Sequence, residues 1–203
     1  MNLLNAFKEC LSHKEDFIHV ENDGDFFMER EGKTLKIFFE WSDDKEDWRN
    51  NFKFLAIPCK PYKDMSDIWF CHRGFFNVFK AILPYIVAAI LDPEIERIEI
   101  VGYSHGAALA MLCYEYAKFN RPEIEVEGVG FGCPRVFWGI VPKALKERVK
   151  DFKAVRNGND IVTHVPPVIF GYRHITELVK IGQTNPIKDH YSKKYLFNLT
   201  EDK

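Results

Sequence analysis

The chain has 203 residues, of which 46% are hydrophobic and 29% are charged, a composition typical of a globular domain that buries its own core. Lys and Arg number 28 and Asp and Glu number 30, so the formal net charge is -2. This charge gives no electrostatic reason to expect nucleic acid as a partner. We therefore expect one domain over residues 1–203, with no nucleic-acid partner.

The targeting signals and the cysteines predict an intracellular protein. Residues 1–11 lack the unbroken apolar stretch of a signal peptide, because Lys8 and Glu9 interrupt it. The longest apolar run, residues 81–91, is much shorter than the ~20 residues that cross a bilayer. The 5 cysteines are odd in number and widely spaced, which favours free thiols. We expect no transmembrane segment and a location in the reducing cytoplasm.

Hydrophobic periodicity predicts the following elements in chain order. A short amphipathic helix over residues 2–11 precedes two strands at residues 26–28 and 35–39, which a turn at Gly32 joins. Residues 42–50 form a loop that leads into a short helix. Helical patterns at 75–91, 107–119 and 142–149 then alternate with strand patterns at 54–57, 68–71, 97–101, 126–131 and 152–155. This alternation predicts the α/β class, with a largely parallel sheet and the first hairpin at one edge.

A short motif carries the chemistry. Residues 102–106 read G-Y-S-H-G, a G-x-S-x-G pattern between a predicted strand and a predicted helix. Such a turn holds Ser104 in a strained backbone conformation with its hydroxyl raised above the sheet. The helix that follows presents free N–H groups, so the N–H of His105 can donate to an oxyanion. The motif predicts Ser104 as a nucleophile.

A serine nucleophile needs a histidine base and an acid that orients the histidine. In enzymes that carry the nucleophile on such a turn, the acid and then the histidine follow it along the chain. Asp160 ends the run R-N-G-N-D at 156–160, which directly follows the predicted strand at 152–155, where an orienting acid is expected. Spacing alone leaves these alternative acids: Asp151 and Asp189. The candidate bases are these histidines: His164, His174 and His190.

Several blocks of this sequence, in order, resemble the fungal-type, or class three, triacylglycerol lipases. The blocks are H-R-G-F at 72–75, G-Y-S-H-G-A-A-L at 102–109, F-G-C-P-R-V at 131–136, the R-to-P-P run at 156–167, G-Y-R-H at 171–174 and D-H-Y at 189–191. The resemblance extends from about residue 35 to residue 195. It implies an α/β-hydrolase fold with helices on both faces of a mostly parallel sheet, and the length leaves no room for a separate cap domain.

The resemblance also implies roles for individual residues. By position in the matching blocks, Ser104 is the nucleophile, Asp160 the acid and His190 the base. His174 then packs or donates a hydrogen bond beneath the site.

The second oxyanion donor departs from the pattern of the family. Residues 39–42 read F-E-W-S where the family has F-R-G-T, so Ser42 keeps the hydroxyl while Glu40 and Trp41 replace Arg and Gly. Ser42 and the N–H of His105 form the expected oxyanion hole. The altered loop motivates an alternative function, a non-catalytic lipase-like module that binds a lipid or a protein.

The sequence as a whole predicts a serine ester hydrolase without a metal or cofactor, since it has neither an H-E-x-x-H motif nor a Cys/His cluster. The expected partner is a small-molecule ester or lipid. In the resembling family a lid leads up to the H-x-G-F block, and here that stretch, residues 58–67, is short and mixed in charge. We expect a small lid or none, and a preference for short or medium acyl chains.

Overall fold

The computed structural model describes residues 1–13, 15–20, 24–39, 68–182 and 189–201, together with the backbone of residues 56–59. The helices are α1 (Leu3–Ser12), α2 (Arg73–Ile90), α3 (His105–Asn120), α4 (Lys143–Val149) and α5 (Ser192–Glu201), with 3₁₀ helices at Ile161–His164 and Val168–Phe170. The strands are β1 (Ile18–Val20), β2 (Gly24–Glu31), β3 (Thr34–Phe39), β4 (Ala56–Cys59), β5 (Trp69–His72), β6 (Arg97–Tyr103), β7 (Glu125–Phe131), β8 (Phe137–Trp138), β9 (Lys153–Asn157), β10 (Tyr172–Arg173) and β11 (Leu178–Ile181). The loop and helix predicted at residues 42–50 lie outside the described residues, as do residues 60–67 of the expected lid.

The larger sheet is mostly parallel. Within the described residues its strand order is β1-β2-β3-β6-β7-β9-β11. Strands β3, β6, β7, β9 and β11 run parallel to one another, and β1 and β2 extend the sheet as an antiparallel edge. The predicted α/β class is therefore confirmed. Because parallel strands end at a common edge, the loops after β6, β7 and β9 meet there.

Helices cover both faces of this sheet because each strand sends alternate side chains to opposite sides. Ile98 and Ile100 of β6 lie in the core cluster that contains α2, α3 and α4. Val101 and Tyr103 of the same strand lie in the other cluster, with α1 and α5. Side chains packed on both faces of the sheet therefore support the turn that follows β6.

Helix α2 packs one apolar face into the core. The buried residues recur at helical spacing and are Phe75, Phe76, Val78, Phe79, Ile82, Ile86 and Ile90. The helix begins earlier than predicted because His72 caps it, with Nδ1 accepting from the backbone N of Phe75 at 3.4 Å. Among the described helices, α2 alone is long and apolar enough to cross a membrane, and its buried face is the pattern of a core helix.

A second, antiparallel sheet was not predicted. In the part of the chain that the structure describes, its order is β10-β8-β5-β4. Trp138 Nε1 donates to the carbonyl of Phe170 at 2.6 Å, and the backbone N of Gly139 donates to Gly171 O at 3.0 Å. These bonds join two turns that expose apolar side chains. The apolar surface, as we call it below, consists of Trp138, Ile140, Val168, Ile169 and Phe170.

The cysteines correct one expectation. Cys71 on β5 is disulfide-bonded, so the prediction of free thiols throughout is wrong. Cys113 and Cys133 are free and buried, and burial raises the pKa of Cys133 to about 12. Sequence spacing could not show the bond, since a disulfide requires only that its two Cβ atoms be close in space.

Candidate active site

The turn between β6 and α3 holds Ser104 in a strained conformation. Its φ of 57° and ψ of −120° make it the one non-glycine residue with positive φ among those described. The backbone N of Ser104 donates to Phe131 O at 2.8 Å, which extends the pairing of β6 with β7 up to the turn. A Cβ at Gly102 would lie 2.2 Å from the carbonyl oxygen of Gly106. The turn therefore requires glycine at position 102, as the motif predicts.

Ser104, His190 and Asp160 form a continuous chain of hydrogen bonds. His190 Nε2 lies 2.9 Å from Ser104 Oγ, and His190 Nδ1 lies 2.9 Å from Asp160 Oδ2. Because an ionised carboxylate only accepts, Nδ1 carries the hydrogen and Nε2 accepts from the serine hydroxyl. The structure thus brings together the three residues that the resemblance selects, in the arrangement of a nucleophile, a base and an orienting acid.

Asp160 is fully buried and both of its carboxylate oxygens accept hydrogen bonds. Oδ1 accepts from the backbone N of Val162 at 2.9 Å, and Oδ2 accepts from the Tyr195 hydroxyl at 2.6 Å as well as from His190. Burial, then the charge of Asp160, raises the pKa of Tyr195 well above its ordinary value, so the hydroxyl keeps its proton and donates. The alternative acid Asp151 is exposed before β9, at the opposite end of that strand.

The turn that carries His190 is anchored on both sides. Asn157 Nδ2 donates to Asp189 O at 2.8 Å, and the backbone N of Asn159 donates to Asp189 Oδ2 at 2.8 Å. The Tyr103 hydroxyl donates to the backbone carbonyl of His190. Asp189, the other alternative acid, therefore holds the turn in place, and the imidazole of His190 bonds to Asp160.

Gly132 makes room for the acid and the base. It follows β7 with a φ of +61°, and a Cβ at this position would lie 2.9 Å from Asp160 Oδ2 and 3.0 Å from His190 Cε1. Sequence reasoning missed its role, although the F-G-C-P-R-V block already showed a glycine at the end of a predicted strand. It missed Tyr195 as well, because a tyrosine on the buried face of a helix carries no signal that separates it from the core.

The other candidate bases lie elsewhere. His174 Nε2 donates to the carbonyl of Thr163 at 2.8 Å, and burial lowers the pKa of His174 to about 4. His164 Nε2 lies 3.5 Å from Arg156 Nη1, and burial and then this guanidinium lower the pKa of His164. We call residues 158–165, which contain Asp160, the acid loop. His174 bonds to this loop and His164 lies within it, whereas the hydroxyl of Ser104 contacts His190.

One of the two predicted oxyanion donors, His105, lies within the described structure. His105 is the first residue of α3, so its backbone N–H lies at the positive end of the helix dipole. Its ring packs against Phe75, with centroids 5.5 Å apart, and so lies on the helix side of the elbow. Ser42, Glu40 and Trp41 lie outside the described residues, and the second donor stays a prediction.

Metal-ligating side chains gather away from this site. In the described ranges the cluster is Glu9, His13 and Glu29, on and next to α1 and on β2. Lys36 Nζ lies 2.7 Å from Glu9 Oε1 and 3.9 Å from Glu29 Oε1, so a cation of the chain already neutralises these carboxylates. We assign no metal to the cluster.

The sequence profile of one family, described as lipase (class 3), matches residues 37–170, well over half of the chain. The chain belongs to the class 3 lipase family. The matched range contains Ser104 and Asp160 and ends before His190.

Curated relatives of this class 3 lipase family member are fungal. It is 36% identical over 121 residues to a secreted mono- and diacylglycerol lipase of Malassezia globosa, a match that covers 56% of this chain and 38% of the relative. It is 26% identical over 162 residues to a lipase of Rhizomucor miehei, covering 76% of this chain and 43% of the relative. The chain thus spans about two fifths of the length of these relatives.

Solved structures of lipases show the same fold. The Rhizomucor miehei lipase in complex with its propeptide superimposes with a TM-score of 0.67 at 22% identity, covering 89% of this chain and 64% of that one. A lipase from Rhizopus microsporus var. chinensis gives a TM-score of 0.65 at 21% identity, with 94% and 74% covered. This class 3 lipase family member has the α/β-hydrolase fold that its sequence predicts.

The predicted cytoplasmic location is wrong. Relatives of this class 3 lipase family member in Malassezia and Fusarium are named as secreted. The disulfide at Cys71 agrees with them, since disulfides persist in oxidising compartments. The prediction relied on the interrupted apolar stretch of residues 1–11 and on the number and spacing of the cysteines.

Proposed function

We propose that this chain hydrolyses carboxylic esters of lipids, with Ser104 as nucleophile, His190 as general base and Asp160 as the orienting acid. The observation that carries the proposal is the unbroken line of hydrogen bonds from Ser104 Oγ through both ring nitrogens of His190 to a buried carboxylate. A serine hydroxyl is a weak nucleophile without such a base.

The reaction follows from this geometry. Ser104 Oγ attacks the acyl carbonyl carbon while its proton passes to His190 Nε2, and Asp160 stabilises the imidazolium that forms. The N–H of His105 donates to the oxyanion, with Ser42 as the expected second donor, and loss of one such donor typically costs about 3–4 kcal/mol. His190 then protonates the departing alcohol. Water attacks the acyl-enzyme, its proton passes to His190, and Ser104 recovers its hydrogen.

The apolar surface supports a lipid aggregate as the source of the ester. Ile140 is 94% exposed and Ile169 is 87% exposed, which is costly in water and favourable against acyl chains. Residues 134–146 and 161–176 contain no Asp or Glu, so nothing acidic in either segment repels a phosphate or carbonyl headgroup. The second segment begins directly after Asp160, so Val168, Ile169 and Phe170 of this surface lie in the stretch that follows the acid. Relatives named as mono- and diacylglycerol lipases support acylglycerols as the substrate class.

The test uses soluble p-nitrophenyl esters, so that lipid binding does not enter the result. Ser104→Ala is expected to lower kcat by about 10⁴-fold or more, because the triad acts as a unit. A fluorophosphonate probe is expected to label the unaltered chain and not this variant. Ser12→Ala, which removes a surface hydroxyl bonded to Glu9 O at 2.7 Å, is the matched control and should change neither result.

The same assay separates the alternative function. A chain that neither turns over the esters nor reacts with the probe is the non-catalytic module that the F-E-W-S departure motivates. Hydrolysis that survives Ser104→Ala undiminished would remove Ser104 from the mechanism.

Acyl-chain length forms a second part of the proposal. We propose short or medium chains, on the basis of the short, charged stretch at residues 58–67. The measurement is kcat/KM across p-nitrophenyl acetate, butyrate, octanoate and palmitate, and a maximum at palmitate would contradict it.

A further inference from the structure

Tyr103 is the last residue of β6 and directly precedes Ser104. Its side chain is buried on the face of the sheet that α1 and α5 cover. The ring meets Phe7 edge to face at 5.4 Å and Tyr195 at 5.7 Å. The ring of Tyr103 is therefore held by aromatic neighbours, one of which is the tyrosine that donates to Asp160.

Tyr103 touches His190 at two places. The two rings stack with centroids 5.2 Å apart and planes inclined by 24°. The Tyr103 hydroxyl donates to the backbone carbonyl of the same histidine. One side chain thus contacts both the imidazole and the main chain of His190.

His190 needs such support because of where it lies. It sits on a turn before α5, which begins at Ser192, and so no helix or strand fixes its backbone. The bonds at Nδ1 and Nε2 hold two points of the ring, and a ring held at two points can still tilt about the line that joins them. A flat surface stacked on the imidazole removes that tilt. An aromatic face is also attractive to the cation that forms when His190 takes the proton.

We propose that Tyr103 is a positioning residue for His190, fixing the plane of the imidazole with its ring and the backbone of the turn with its hydroxyl. The proposal rests on the proposed function, since it assigns Tyr103 to the base of that reaction.

The test separates the ring from the hydroxyl. Tyr103→Phe keeps the stacked ring and is expected to lower kcat about threefold to tenfold, the effect of one lost hydrogen bond. Tyr103→Leu removes both contacts and should lower kcat about 100-fold, as a misplaced catalytic group does. KM is expected to stay within about twofold, because Tyr103 acts through the base and not on the bound ester. The rate of fluorophosphonate labelling should fall in the same order.

A third variant, Tyr103→His, is the rescue. It restores an aromatic ring that can stack on the imidazole, and should recover most of the activity that leucine loses. The control is Tyr114→Phe, a buried tyrosine packed on Phe152 at 5.4 Å outside the site, which should leave kcat unchanged.

The proposal fails if Tyr103→Leu, folded by circular dichroism, keeps kcat and labelling rate within twofold of the unaltered chain. It also fails if histidine and leucine lose activity equally, or if the loss appears only in KM or in the urea midpoint. If the Tyr103→Leu variant does not fold, the kcat and labelling rates of Tyr103→Phe and Tyr103→His decide the proposal by the same criteria. Ser104→Ala keeps the two proposals apart: activity that survives it removes the proposed function, whereas its loss together with unchanged Tyr103 variants removes only the positioning role.

Discussion

The site edge of the large sheet and the small antiparallel sheet differ in how completely hydrogen bonds pair certain of their buried polar groups. At the large sheet, Asn157, Asp160 and Asp189 are fully buried and each makes hydrogen bonds on more than one side. At the small sheet, the indole N–H of Trp69 and the hydroxyl of Tyr172 are buried with no hydrogen-bond partner among the described residues. The first region is specified by polar contacts, and the second by apolar packing.

This difference has a physical meaning. A buried carboxylate needs its donors, so the arrangement around Asp160 has little freedom to shift and fixes the position of His190 Nδ1. The small sheet instead exposes Ile140 and Ile169 to solvent. We infer that the large sheet sets the rate of the chemical step and that the small sheet sets where the protein meets lipid. The predictions below separate the two.

The largest effect is expected at the acid. Asp160→Asn replaces an acceptor of three hydrogen bonds with an amide, which cannot stabilise an imidazolium and favours the wrong histidine tautomer. We expect kcat on soluble esters to fall by about 10³–10⁴-fold. The matched control is Asp151→Asn, the exposed alternative acid, which should retain full activity. A fall of less than tenfold for Asp160→Asn would mean that the polar contacts of this region do not set the rate.

The second prediction concerns space rather than charge. In Gly132→Ala the added methyl would lie 2.9 Å from Asp160 Oδ2, so the acid or the base must move. We expect kcat on soluble esters to fall about 100-fold, the effect of displacing a catalytic group by about 1 Å. Gly32→Ala is the control, since Gly32 also has a positive φ, +59°, but has nothing within 4 Å of the added atom. Both variants introduce the same kind of backbone strain, and only Gly132→Ala adds a steric clash. Only Gly132→Ala should therefore lose activity, and equal losses would refute the steric explanation.

The sequence predicted most of the large sheet and the residues that it brings together. Ser104 directly follows β6 and Asp160 lies in the loop after β9, both strands have evident apolar character, and the parallel topology sends both strand ends to one edge. His190 could not be placed by periodicity, because it lies on a turn, and only the resemblance separated it from His164 and His174.

The small sheet was beyond prediction for a definite reason. Strands β8 and β10 are two residues long each, and no alternation can be seen over two positions. Their pairing depends on partners far away in the chain, as Tyr172 with Trp138 shows. The roles of Tyr195 and Cys71 were not predicted for the same reason. The hydrogen bond of Tyr195 to Asp160 and the disulfide of Cys71 depend on which residues the fold brings together.

The third prediction tests the connection between the two regions. His174 follows β10 of the small sheet and donates to Thr163 in the acid loop. Burial lowers the pKa of His174 to about 4 from 6.5, so between these values the unfolded chain binds more protons than the folded chain. Stability is therefore complete above about pH 6.5 and is lost as the pH falls towards 4, by about 3 kcal/mol at most from this group.

The measurement is the free energy of unfolding in urea at several pH values. His174→Gln keeps an amide that can donate to Thr163 O but does not titrate, so its stability should fall less steeply below pH 6.5. Part of the slope should remain, because burial and then His105 also lower the pKa of His72 to about 4. An unchanged slope in His174→Gln would show that this histidine does not couple the acid loop to pH.

The smallest effect on the chemistry is expected at the apolar surface. Ile140→Ser together with Ile169→Ser removes its two most exposed side chains, each worth roughly 1.5–3 kcal/mol when buried in an apolar phase. Binding to phosphatidylcholine vesicles in a sedimentation assay should weaken at least about tenfold, since partial burial of both side chains already supplies that difference. The value of kcat/KM on soluble esters should stay within twofold, because neither side chain contacts the triad.

The control pair, Ile18→Ser with Leu91→Ser, removes apolar side chains that are 46% and 43% exposed elsewhere and should bind vesicles like the unaltered chain. If both pairs weaken binding equally, the surface is not specific, and if the first pair lowers soluble-ester turnover, the small sheet shapes the chemical step after all.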